Sequence, residues 1–107
     1  MKAVIITTDG GKRVTEFEFG NALKPLQEAV GGLIELIPLH HLVADMWVND
    51  EGKLHDFAPN FLATELWAKE NLNAELLYGD VIITGPSDEQ GETLGLTDEQ
   101  VGFLLAL

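Results

Sequence analysis

The 107-residue sequence predicts a compact α+β fold, a mainly antiparallel or mixed sheet of about five strands carrying two to four packed helices. Three observations lead there. Short runs rich in β-branched residues end at glycine-containing turns. Helical spacings of apolar residues recur beside capping residues. The strands and helices do not alternate in the regular way that a parallel sheet requires. No repeat, linker or low-complexity tract divides the chain, so residues 1–107 are expected to form one domain.

The opening run Ala3-Val4-Ile5-Ile6-Thr7 reads as a strand that stops at Asp9-Gly10-Gly11, where glycine allows a tight reversal. The returning strand alternates, with Thr15, Phe17 and Phe19 on one face and Val14, Glu16 and Glu18 on the other. Asn21 is the expected cap of a helix that shares Leu23, Leu26 and Val30 on one face and leaves at Gly31-Gly32. Residues 33–39 and 42–48 then read as strands, with Pro38 marking an edge or a bulge. In the second of these, Leu42, Ala44, Met46 and Val48 are expected to face inward, with Val43, Asp45 and Trp47 on the opposite side. Asn49-Asp50-Glu51-Gly52 predicts a turn with Gly52 left-handed, returning into an extended Lys53-Leu54-His55. Asn60 should cap a helix carrying Leu62, Ala63, Leu66 and Trp67, and Leu72 to Tyr78 are read as further helical turns. Asp80-Val81-Ile82-Ile83-Thr84 reads as the last strand, closed by Gly85-Pro86. After a polar loop, Thr97-Asp98-Glu99-Gln100 matches a capping box that opens a final helix with Val101, Leu104 and Leu105.

Composition narrows the chemistry. With no cysteine, disulfides, thiolate nucleophiles and iron–sulfur attachment are excluded. No run approaches the roughly 20 apolar residues of a membrane span, and the first residues lack a signal-peptide pattern, so neither membrane nor export is expected. Eighteen acidic residues against 6 basic ones give a formal charge of -12. Residues 1–54 carry 8 acids and 5 bases, net -3, whereas 55–107 carry 10 acids and Lys69 alone, net -9. Such a surface repels phosphate backbones, which argues against direct nucleic-acid binding and favours a basic protein surface as partner.

Residues with metal-ligating chemistry gather at His40, His41, Asp45, His55 and Asp56, where the turn at 49–52 could return the last two towards Asp45. Their spacing matches no established metal motif. The hydroxyl residues form no nucleophile elbow, and the acid pairs Asp50-Glu51 and Asp88-Glu89 sit in polar turns with nothing to raise their pKa values. The glycine pairs lack the context of a phosphate-binding loop. No catalytic residue and no cofactor is therefore nominated, and the chain reads as a non-enzyme. Trp47 and Val43 are candidate interface anchors, joined by the acids Asp88, Glu89, Glu92, Asp98 and Glu99 of the carboxyl-terminal half.

Several segments carry a family resemblance: Val30-Gly31-Gly32-Leu33-Ile34-Glu35, Val48-Asn49-Asp50-Glu51-Gly52-Lys53-Leu54, Pro59-Asn60 with Ala63-Thr64, Gly79-Asp80-Val81-Ile82-Ile83-Thr84-Gly85-Pro86 and Leu96-Thr97-Asp98-Glu99-Gln100. In these the sequence resembles a family of small uncharacterised domains encoded by bacteriophages and mobile elements, a domain of unknown function. The resemblance implies action in a bacterial host cytoplasm and supplies no catalytic residues. The expected function is that of an accessory protein that binds, and in one version inhibits, a host protein. The alternatives are an acidic nucleic-acid mimic, a small-ligand or divalent-metal module built on the histidines, and a structural homodimer.

Overall fold

A computed structural model describes residues 1–107. Its elements follow the order β1 (Lys2–Ile6), β2 (Lys12–Glu16), α1 (Leu23–Val30), β3 (Ile34–Leu39), a 3-10 turn (His40–Leu42), β4 (Ala44–Asn49), α2 (Phe61–Ala68), β5 (Val81–Thr84) and α3 (Asp98–Leu105). The strands form one sheet in the order β2-β1-β5-β4-β3, and every neighbouring pair is antiparallel. Two hairpins are thus joined through β5, which enters between them late in the chain. The architecture is the predicted compact α+β fold, with a five-stranded sheet and three helices.

The position of β5 explains its composition. It is hydrogen-bonded on both edges and covered on both faces, so Val81, Ile82, Ile83 and Thr84 are all buried and no polar alternation is needed. β3 lies at an edge, which tolerates the missing N–H of Pro38. One face of the sheet packs against α2 and α3 through Val4, Ile6, Met46, Val48 and Ile83, with Leu66, Val101 and Leu104 from the helices. The other face packs against α1 through Ala3, Ile5 and Ile82, with Leu26 and Val30, and Trp47 lies against this smaller cluster. Both faces are therefore covered, and no helix is long and apolar enough to cross a membrane.

Local signals hold where the chain supplies its own partners. Asn60 caps α2 by accepting from Ala63 N at 3.1 Å. Thr97 and Gln100 form the predicted capping box at α3, and Gly31 ends α1 in the left-handed region with φ 79°. Five details differ. β2 ends at Glu16, so the expected alternation does not continue through Phe19, which lies exposed in the turn that follows. α1 starts after Ala22, without a side-chain cap from Asn21. Leu42 winds into the 3-10 turn before β4 begins. Residues 50–56 form successive turns instead of returning as a strand, and Asp56, not Gly52, is left-handed. Residues 72–78 are not helical. The approach to α3 depends on close backbone crossing: a side chain at Gly85 would collide with the Gly95 carbonyl, and one at Gly95 with Lys2 N. That crossing lets Leu96 N donate to Lys2 O at 2.8 Å and sets α3 over the sheet.

Candidate functional site

The 3-10 turn between β3 and β4 is an irregular segment held by side chains from distant parts of the chain. After β3 the chain must reverse within a few residues, and it does so with Val43 at φ 52° and ψ 49°. A β-branched residue rarely adopts this left-handed conformation, because its Cβ crowds the backbone. Two clamps from distant elements hold it. From beyond α2, the Glu70 carboxylate accepts from His40 N and His41 N, each at 2.8 Å, and from His41 Nδ1 at 2.6 Å. Burial alone would raise the Glu70 pKa, but these donors outweigh it and hold the carboxyl at about 2. From α3, Gln100 Nε2 donates to Leu42 O at 2.8 Å and Val43 O at 3.1 Å. The Gln100 Oε1 atom meanwhile accepts from Thr97 N, so one side chain serves both the capping box and the turn.

The clamped turn projects Val43 outward, 66% exposed, as a ridge between two clefts. The first, about 510 Å³, lies between the turn and α3 and is lined by Leu42, Ala44, Leu96, Phe103 and Leu104, with His41, Thr97, Glu99 and Gln100 as its polar members. Phe103 is 46% exposed there. The second, about 420 Å³, lies on the other side of Val43 and includes Leu36, Pro38, His40, Asp45, Pro86 and Ser87. Asp45 is only 8% exposed. Burial pushes its carboxyl pKa up, with His40 pulling the other way.

The sequence-nominated residues distribute unevenly over this geometry. His40, His41 and Asp45 surround the turn, whereas His55 and Asp56 lie in the 50–56 turns, with His55 stacked on Phe57 at 5.4 Å between ring centroids. No group of three or more His, Asp or Glu side chains comes together as a metal-holding set. The expected convergence depended on a returning strand at 53–55, and that segment turns away. Val43 and Glu99 meet at the apolar cleft. Trp47 is half-buried, and its Nε1 donates to Thr84 Oγ1 at 3.0 Å. Asp88 organises its own loop by accepting from Gln90 N and Glu92 N, both at 2.9 Å, with Glu89 exposed at the tip. Asp98 pairs with Lys2 at 2.7 Å. Sequence reading missed Glu70 as a clamp, since its partners include backbone amides about 30 residues away. It read Gln100 only as a cap; the free amide end of a capping-box glutamine was the signal for its second role.

The family model described as Domain of unknown function (DUF3846) matches residues 1–107. No curated protein and no solved structure matches the chain. The chain belongs to the DUF3846 family.

Proposed function

We propose that this DUF3846 domain is a non-enzymatic accessory protein of a phage or mobile element, which binds and inhibits a basic host protein in the bacterial cytoplasm. Its binding face is the one built from the 3-10 turn and α3. The observation that carries this reading is Val43, a left-handed β-branched residue exposed beside an apolar cleft and held by side chains from two other elements. Strain retained at an exposed position points to function, because a relaxed turn would otherwise serve the fold equally well. Phe103 adds apolar contact area, and Glu99 with the -9 of residues 55–107 supplies attraction for lysine and arginine on the partner.

A photo-crosslinking residue placed at Val43, and in a separate protein at the fully exposed Leu72, tests the face in host lysate at low salt. The expected result is one basic host protein captured from position 43 and not from position 72. Binding of that purified protein should weaken about tenfold or more with Phe103→Lys. Equal capture from both positions, or none from position 43, overturns the proposal.

A further inference from the structure

We infer that the cleft on the Asp45 side of Val43 is a receptor for a cationic side chain, foremost an arginine guanidinium, presented by the same partner segment that fills the apolar cleft. Asp45 is more than nine-tenths buried, yet no donor in the protein reaches its carboxylate. No fully enclosed side-chain oxygen in the molecule lacks a partner, so the Asp45 oxygens keep their opening into the cleft that Asp45 lines. An ionised carboxylate offers only acceptor sites, about four lone pairs, and no donor of the protein takes them. Neighbouring groups are already committed: Thr84, paired with Asp45 across the β4–β5 ladder, donates to Gly85 O and accepts from Trp47 Nε1.

The occupant follows from charge and shape. None of the six lysines and arginines of the chain lines this cleft, and His40, which does, makes no hydrogen bond to Asp45, so a permanent cation bonded to its carboxylate must come from outside. The walls contributed by Leu36, Pro38 and Pro86 are apolar, which suits a flat, weakly hydrated guanidinium better than a compact ammonium, and a guanidinium can bond a carboxylate through two parallel N–H groups. Burial already disfavours the isolated Asp45 anion, and an incoming cation offsets that desolvation. Val43 and Ala44 line both clefts, so an apolar side chain and an arginine on one partner segment would straddle the ridge.

The partner's identity rests on the proposed function, but the cation site can be tested without it. Labelled protein is titrated with N-acetyl-arginine amide and with the neutral isostere N-acetyl-citrulline amide, following backbone amide resonances. Arginine amide should produce saturable shifts at His40, Asp45 and Ser87 that citrulline amide does not. Asp45→Asn, which removes the charge without breaking a hydrogen bond, should weaken arginine binding about tenfold or more. Identical responses to the two ligands in the unaltered protein overturn the inference whether or not the variant folds, as does an unchanged affinity in a folded Asp45→Asn protein. Failure here would leave capture at Val43 standing, and failure of that capture would leave a saturable arginine site standing.

Discussion

Glu70 sits where the backbone of a strained turn would otherwise leave amides unsatisfied. Its side chain is 17% exposed, and burial by itself would favour the protonated form, but two backbone N–H groups and one imidazole N–H favour the anion more strongly. The folded pKa of about 2 lies below the ordinary 4.5. Folding is therefore favoured by ionised Glu70 above the ordinary value, and this contribution is lost as pH falls from 4.5 towards 2. Asp45 has the opposite sign: its raised pKa makes the folded state take up a proton first, so its contribution to stability improves as pH falls. Subtracting the stability of a Glu70→Gln variant from that of the native protein cancels the acids common to both. The difference should be about 1–2 kcal/mol at neutral pH, modest because the site keeps some solvent, and should shrink towards pH 2. A pH-independent difference in urea titrations would mean that Glu70 acts by packing alone. Val43 belongs to the same scale. Its neighbours suggested a strand position opposite Ala44, and nothing adjacent in sequence announces the left-handed turn, because the groups that impose it are Glu70 and Gln100.

At the scale of elements, legibility followed the distance over which each signal acts. β1 and β5 were readable from β-branched runs, β3 and β4 as two apolar strands whose pairing was not read, and α2 and α3 from caps whose partners lie three residues on. The failures have local competitors or distant causes. Asn71 accepts from Asn73 N at 2.9 Å, an Asx turn that diverts the chain from helix, and Thr64 Oγ1 takes Leu77 N at 2.9 Å. Gly52 is buried against the Tyr78 carbonyl, where any side chain would collide, so its glycine serves close approach instead of a left-handed turn. Of the candidate site, Val43, Asp45 and Glu99 were readable, but their grouping around one ridge required the tertiary arrangement. Asn60 joins the local and distant kinds of signal. Besides capping α2, its Nδ2 donates to Ile6 O and Gly79 O, each at 3.0 Å, tying the helix to β1 and to the approach to β5. Asn60→Ala would remove the cap and leave two buried carbonyls without that donor, lowering stability by about 2–4 kcal/mol. Urea unfolding measures the loss, and a decrease below about 0.5 kcal/mol would contradict the role of Asn60 as the tie between α2 and the sheet.

Across the whole molecule, the sheet and its two cores must hold together a charge of -12 with few compensating contacts. Lys2 pairs with Asp98, Lys24 reaches Glu28 only at 4.0 Å, and Lys12 is engaged by the Leu107 carbonyl. From Glu70 onward the chain contains no lysine or arginine, so the acids of the 86–95 loop and of α3 face one another's field. Repulsion of this kind acts through solvent and is shortened by salt, since the screening length falls from about 30 Å at 0.01 M to about 10 Å at 0.1 M. The isolated protein should therefore melt a few degrees higher at the higher of those salt concentrations. A basic partner would relieve the same repulsion by contact, and salt would compete with it. Complex formation should accordingly weaken over the concentrations in which the free protein gains stability. These opposite slopes separate acidity used for recognition from acidity that merely coats the surface: a coat predicts the stabilisation by salt but no salt-sensitive complex. Thermal melts and binding titrations in the same sodium chloride series give both slopes, and an affinity for the proposed partner that does not fall with salt would remove electrostatics from the proposed binding face.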